Sequence, residues 1–306
     1  MKGLNAPIVF FAYRRPAHAK ASLEALSKCE GAKESELFIF SDGAKGETDR
    51  KPVEEVRELI AGRKWCGRVN IIERERNLGL AASVISGVTE LCEKYGRVIV
   101  LEDDLIVSTQ FLNYMNDALD IYQSTPEVMH ISGYMLPIKA KLPETFFYRA
   151  TSCWGWATWQ RAWDSFEPDP RKLLDEIIEK GLLEEFDVKG STGFSETLKA
   201  NAEGRMKTWA IKWYASVFLK GGLCLHPGES LVRNIGLDGS GVHCGKSKDY
   251  DVKVRERRIK DFTEDIRENE AALNAMVEFY KSIGPSLGAS IINGLKSRGS
   301  KILRWF

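Results

Sequence analysis

The chain has 306 residues, enough for one large α/β domain or two closely joined halves with a sizeable core. Lys and Arg number 44 against 43 Asp and Glu, and a formal charge of +1 gives no global reason to expect nucleic acid as a partner. Six cysteines lie scattered without a C-x-x-C pair or zinc-finger histidines, so free thiols in a reducing cytoplasm are expected and a zinc site is not. No stretch reaches the ~18 to 20 apolar residues of a membrane span, and the apolar run Pro7 to Phe11 is too short and too early for a signal peptide.

The first third alternates strand and helix signals, as in a parallel sheet joined by crossover helices. Ile8 to Ala12 predicts a strand, Pro16 to Cys29 a helix, and Leu37 to Phe40 a strand ending at Ser41, Asp42 and Gly43. Lys51 to Ala61 predicts a helix with Val53, Val56, Leu59 and Ile60 on one face. Val69 to Ile72 reads as a short strand and Leu78 to Tyr95 as a helix entered through Asn77 and Gly79. Val98 to Leu101 is a run of branched aliphatics, the pattern of a strand buried on both faces, and it leads straight into Glu102, Asp103 and Asp104. Three adjacent carboxylates repel one another unless a cation holds them, and hard oxygen ligands suit Mg2+ or Mn2+. Taken alone, a solvated acidic turn explains the triplet better. Tyr13 to Arg15, Ser41 to Gly43 and Arg74 to Gly79 also lie at carboxyl strand ends, where an open α/β sheet binds its ligands. Four loops thus converge on one nucleotide-sized crevice, with a metal-bridged phosphate ester as its natural occupant.

Phe111 to Gln123 predicts a helix and Val128 to Gly133 a further strand. Trp154, Trp156, Trp159 and Trp163 crowd ten residues of a chain holding 8 tryptophans. Trp159 and Trp163, four apart on a predicted helix, read as core. Trp154 and Trp156 flank Gly155, where backbone can approach a ligand closely, and read either as core or as an aromatic platform for a sugar face or a base. Residues 170–206 read as charged surface helices, Thr208 to Lys220 as an aromatic-rich helix, and Leu223 to Leu225 as a short strand. The glycine-rich stretch from Val232 to His243 predicts a loop wrapped closely over something, with His243 either a metal or phosphate partner or a plain surface histidine. Arg255 to Ser282 predicts a charged amphipathic helix. Residues 285–306 carry Lys296, Arg298, Lys301 and Arg304 and no acid, the pattern of an interfacial membrane helix or of a helix docked on its own domain.

In order and spacing these elements resemble nucleotide-sugar glycosyltransferases of the GT-A fold. The likeness is nearer to bacterial cell-surface polysaccharide transferases and more distant to the type I N-acetylglucosaminyltransferase of N-glycan processing. It spans Pro7 to His243, and its strongest element is the run from Val100 to Ser108, which is similar to the family's acidic metal motif. The Trp154-Gly155-Trp156 element and the segment from Leu231 to Gly241 support it. The resemblance implies an α/β, Rossmann-like mixed and mainly parallel sheet flanked by helices. Residues 1–108 would form a nucleotide-sugar-binding half, 109–245 an acceptor-binding half of the same domain, and 246–306 a C-terminal helical tail able to associate with a membrane.

It further implies a metal-dependent transferase using Mn2+ or Mg2+ and a UDP-sugar. The acceptor would be a glycan or lipid-linked glycan in lipopolysaccharide or other surface polysaccharide synthesis, in the cytoplasm or at the inner face of its membrane. By position, Tyr13, Arg14 and Asp42 would line the nucleoside pocket, and Arg74, Asn77 and Gly79 would sit beside ribose and diphosphate. Glu102 and Asp103 would hold ribose or donor-sugar hydroxyls, Asp104 would bind the ion, and His243 would complete its shell or touch the diphosphate. Trp154, Gly155 and Trp156 would meet the acceptor or donor sugar. One position departs from the pattern: Ala210 stands where inverting relatives carry an acidic base. Inversion with a base from Glu203, Glu196 or Asp238 is the expectation, and retention or a catalytically degenerate glycan- or nucleotide-binding protein are the alternatives. A sugar-phosphate nucleotidyltransferase would need a Gly-rich turn where this chain has Ala12-Tyr-Arg-Arg-Pro16.

Overall fold

The computed structural model of the protein describes residues 5–239 and 248–283. β1 (Ile8–Ala12), buried at every position, leads into α1 (Pro16–Ser27), whose proline occupies the first turn, where an amide proton has no helical partner to lose. β2 (Glu36–Ser41), α2 (Glu47–Ala61), β3 (Arg68–Glu73), α3 (Leu80–Tyr95) and β4 (Arg97–Glu102) follow. Every element expected in the first third is present within a few residues of its predicted ends. β5 (Leu105–Val107), α4 (Phe111–Ile121), β6 (Val128–Ser132), β7 (Thr145–Tyr148), β8 (Trp156–Trp159) and α5 (Gln160–Trp163) come next. Four helices follow and pack on one another, α6 (Pro170–Glu179), α7 (Leu183–Phe186), α8 (Phe194–Ala202) and α9 (Ala210–Leu219), with α9 reaching the sheet through Trp213. β9 (Leu223–Pro227), β10 (Val232–Asn234) and α10 (Glu270–Ser282) complete the order.

Eight strands form one sheet in the order β3-β2-β1-β4-β8-β6-β9-β7. Pairing is parallel from β3 through β2 and β1 to β4, and again between β6 and β9. β8 runs antiparallel between β4 and β6, and β7 antiparallel on β9. The architecture is therefore the expected α/β class, a mixed and mainly parallel sheet with flanking helices. β5 and β10 form a separate antiparallel ribbon in which Asn234 lies opposite Leu105. That register carries the glycine-rich segment directly over the acidic triplet.

Two expectations are corrected. Trp159 ends β8 and Trp163 ends α5, so they share no helix, although both are buried as core. The stretch from Arg255 is not helical until Glu270, because several of its backbone amides are bonded to residues on and beside the sheet instead of to one another. Lys260 and Asp261 amides donate to Glu144 Oε2 at 3.0 and 3.1 Å, Thr263 N to Thr145 Oγ1 at 2.9 Å, and Asn269 N to the Phe147 carbonyl at 2.9 Å. Arg255, only 4% exposed at its side chain, pairs with Glu144 and Glu229 and locks the segment's start. The Lys260 amide, with help from Arg255 and the Asp261 amide, holds the Glu144 carboxyl down to about 2. The segment thereby covers β7, the outermost strand.

The core's densest part is aromatic. Trp156 is fully enclosed, with ring centroids 5.2 Å from Trp209 and 5.1 Å from His130. His130 accepts from Trp213 Nε1 at 3.0 Å through Nδ1, which leaves Nε2–H to donate to the Ser152 carbonyl at 3.1 Å. Burial, and after it the neighbouring His226, pushes His130 down to about 3. Burial likewise takes His226 down to about 4, so both rings are neutral parts of the core.

Candidate functional site

Glu102, Asp103 and Asp104 stand at the carboxyl end of β4, the last strand of the parallel run β3-β2-β1-β4 and the one that borders antiparallel β8. The cation that three adjacent carboxylates require is supplied by this chain. Arg15 Nη2 bridges Asp103 Oδ1 and Asp104 Oδ2, the latter at 2.9 Å. Burial works against the Arg15 charge, but Asp103 and Asp104 more than offset it and raise the guanidinium's pKa. Burial, then Asp104 and Asp103, raise the Glu102 carboxyl; burial also raises Asp103, partly countered by Arg15. Arg15 precedes Pro16, and its carbonyl accepts the Ala19 amide at 2.9 Å, so its backbone is fixed at the start of α1. Residues 15, 18 and 22 share one face of α1. Below Arg15, His18 Nε2 pairs with Asp238 Oδ2 at 3.2 Å and Ser22 Oγ donates to the Asp103 carbonyl at 2.9 Å.

The loop after β10 closes on the same carboxylates. Ile235 N donates to the Asp104 carbonyl at 2.9 Å, and Gly236 lies so close that a methyl group there would fall 2.1 Å from Asp104 Oδ2. Of the three acidic base candidates, Asp238 is the one this loop carries to the triplet's neighbourhood. Glu203 is at the surface in an ion pair with Arg205, and Glu196 is on α8 beside Asp187. Ala210 opens α9 and is buried, so the position expected to hold the base is an apolar helix start.

The other strand-end loops interlock. Asp42 is buried, and its carboxylate accepts three amides: Gly43 at 3.0 Å, Leu78 at 2.9 Å and Gly79 at 2.9 Å. Asn77 Nδ2 donates to the Gly43 carbonyl at 2.9 Å. Asp42 and Asn77 therefore fasten the β2 loop to the start of α3, a role distinct from the base contact expected of Asp42. Arg74 lies over the Phe40 ring at 5.1 Å, and its buried Nε has no hydrogen-bond partner. Tyr13 donates to Asp49 Oδ2 at 2.6 Å and Arg14 Nη1 contacts Asp49 Oδ1 at 2.5 Å, so Tyr13 and then Arg14 lower the Asp49 carboxyl. The Tyr13 amide reaches Asp103 Oδ2 at 3.4 Å, tying this group to the triplet.

Arg15 and Asp49 escaped the sequence reading. The signal for Arg15 was the triplet's own need for a cation, met from 88 residues away; Asp49 on α2 had none. The aromatic platform is corrected too. Trp156 sits wholly in the core, and Trp154 is buried edge-on against Tyr134 at 4.6 Å. Gly155, at φ +68°, makes its close approach to Val232, Phe111 and Leu101 rather than to open space. His243 lies outside the described residues.

For a divalent ion, Asp103 and Asp104 offer hard oxygens that already converge on a cation, so the donor chemistry fits. Among the described residues no three His, Cys, Asp or Glu side chains are placed to hold an ion by themselves. The set suits an ion shared with ligand oxygens, as Mg2+ commonly is, better than a closed protein cage. No described helix is long and apolar enough to cross a membrane, and Cys29, Cys66, Cys92, Cys153 and Cys224 are buried free thiols.

No family model and no curated protein matches the chain. Solved structures that overlap it include mouse xyloside xylosyltransferase 1 in apo form, at 11% identity and TM-score 0.37, covering 70% of this chain and 81% of that one. The galactosyltransferase LgtC, in complex with donor and acceptor sugar analogues, overlaps at 12% identity and TM-score 0.39, covering 71% of this chain and 72% of its own. The mannosyltransferase PcManGT from Pyrobaculum calidifontis, in complex with GDP-Man and Mn2+, overlaps at 8% identity and TM-score 0.41, covering 71% and 69%. Overlaps this loose do not bear on chemistry, which is read from the chain's own side chains.

Proposed function

We propose that the chain is a nucleotide-sugar glycosyltransferase of the GT-A type, taking a UDP-sugar with Mn2+ or Mg2+ and delivering the sugar to a glycan or lipid-linked glycan in surface polysaccharide synthesis. One observation supports this above the rest: paired carboxylates on a single cation at the carboxyl end of β4, where the sheet's parallel run meets antiparallel β8, with the loop after β1 bonded to them. Tyr13, Arg14 and the loops pinned by Asp42 would receive the nucleoside, and Arg74, Asn77 and Gly79 would flank ribose and diphosphate. Glu102 and Asp103 would bind hydroxyls, and Asp104 with Asp103 would hold the ion. When bound, the ion would supply positive charge to the departing diphosphate. An acceptor hydroxyl attacks the anomeric carbon, the bond from that carbon to the diphosphate oxygen breaks, and the electron pair leaves with the nucleoside diphosphate. The acceptor proton needs a base; Asp238, paired with His18 on the helix that follows Arg15, is the candidate to take it, giving inversion.

Calorimetric titration of UDP with and without Mn2+, on the wild-type chain and on Asp104→Ala, tests the reading. Metal-dependent binding that Asp104→Ala abolishes is expected; binding of no nucleoside diphosphate would end it. A second reading, a catalytically degenerate binding protein of the same fold, is favoured by the buried Ala210 at the start of α9. It predicts the same nucleotide binding with neither sugar transfer nor donor hydrolysis. The membrane contact proposed for residues 285–306, which lie outside the described residues, rests on their basic, amphipathic sequence. Deleting them should release the protein from anionic vesicles and leave nucleotide affinity intact.

A further inference from the structure

Arg15 reaches both aspartates through one amino group, Nη2, and its Nε and Nη1 donate to nothing among the described residues. This is not the two-pronged fork with which arginine grips a carboxylate most firmly. Its backbone is anchored by Pro16 and by the Ala19 amide, so leaving the carboxylates needs only side-chain rotation. The side chain is partly exposed. The pair cannot simply be vacated, because Asp103 and Asp104 would then face one another at close range without the cation that holds them. A replacement cation has to arrive as the guanidinium departs. Among the described residues two aspartates face that position, few protein oxygens for a free ion, whereas an ion carrying diphosphate oxygens would find enough.

We propose that Arg15 is a place-holding cation. It occupies the carboxylate pair while no nucleotide is bound, and it exchanges onto the diphosphate when nucleotide and ion enter together. The proposal rests on the donor-binding reading above and adds a property to it: ion and nucleotide bind with strong mutual dependence. That dependence is reciprocal, so UDP raises the affinity for Mn2+ by the factor by which Mn2+ raises the affinity for UDP. Arg15 serves both halves of the coupling, since it competes with the ion in the empty protein and pairs with phosphate in the loaded one.

The test is a thermodynamic cycle on the full chain, with Mn2+ alone followed by the EPR signal of the free ion and UDP binding followed by calorimetry. For the wild type, Mn2+ alone should bind weakly, and UDP should tighten it by about tenfold or more. In Arg15→Gln, Mn2+ alone should bind about tenfold more tightly than in the wild type, UDP at saturating Mn2+ about tenfold more weakly, and the coupling factor should fall towards one; tenfold corresponds to about 1.4 kcal/mol. Arg15→Lys keeps a charge that can hold the aspartates and should still exclude free Mn2+. Should the glutamine variant be too unstable for calorimetry, its melting temperature should rise with Mn2+ alone far more than that of the wild type does. Equal affinity of both proteins for Mn2+ alone, with normal Mn2+–UDP binding by the wild type, would make Arg15 a fixed counter-ion and overturn the proposal while leaving the function intact. Absence of UDP binding from the wild type would remove the functional reading and this proposal with it.

Discussion

Replacing Gly236 with alanine adds one carbon, which would lie 2.1 Å from Asp104 Oδ2, 2.8 Å from its Cγ and 3.0 Å from its Cβ. Ordinary contact begins at 3.4 Å, so one side must give by more than an ångström. The loop cannot give easily. Ile235 N is bonded to the Asp104 carbonyl at 2.9 Å, and Gly236 N to Asn234 Oδ1 at 2.7 Å. The Asp104 carboxylate must therefore rotate away, out of reach of Arg15 and of any ion. A displacement of about 1 Å at such a centre costs on the order of 100-fold in function, while overpacking costs the fold only about 1 to 3 kcal/mol. We expect Gly236→Ala to lower affinity for UDP with Mn2+ by on the order of 100-fold, measured by calorimetry, in a protein that still melts cooperatively. Gly46→Ala is the control, because its added carbon meets nothing within 4 Å. Affinity within a few-fold of wild type for Gly236→Ala would refute the claim that Asp104 is held in place by this contact.

Three further outcomes follow from the geometry. His130 is neutral in the fold, with a pKa near 3 against an unfolded value of 6.5, so its stability contribution is complete above pH 6.5 and is lost as pH falls towards 3. Between pH 7.5 and 5.5 the loss is on the order of 1 kcal/mol; urea unfolding of His130→Gln should be flatter by that amount, and parallel pH curves would contradict it. Asp42→Ala strands three amides at the α3 entrance and should cost roughly 3 kcal/mol in urea unfolding, with α3's first-turn amides exchanging faster by hydrogen exchange. Arg255→Gln should cost about 2 to 3 kcal/mol, below the range of a fully buried pair because Glu144 keeps two amide partners and some exposure. Limited proteolysis should then cut within residues 251–268, and resistance equal to wild type would count against a locking role.

The parallel half of the sheet was legible because strands buried on both faces read as unbroken apolar runs, and glycine and charge mark their ends. β8 was not, since its Trp-Ala-Thr-Trp sequence gives neither alternation nor an aliphatic run and is made a strand by insertion between β4 and β6. β5 and β10 are three residues each and exist through each other. The segment after Arg255 has the charge pattern of a helix, and its amides' partners on Glu144, Thr145 and Phe147 keep it from forming one before Glu270. At the site, the triplet's chemistry was readable as an unmet demand for positive charge. Whether a metal or a guanidinium met it depended on a pairing across 88 and 89 residues, which no local pattern encodes.

The covering of β7 has a consequence for how the protein is made. The residues that satisfy that outer strand run from Asp261, 116 positions beyond Thr145, to Asn269, which bonds the Phe147 carbonyl. While the ribosome is still adding them, the sheet presents an unpaired edge of Thr-Phe-Phe-Tyr, the kind of sequence that recruits strands from other molecules. Synthesis thus contains an interval of vulnerability that ends when Asp261 to Asn269 emerge. Translation pausing or premature termination inside that interval should yield aggregates rather than soluble fragments.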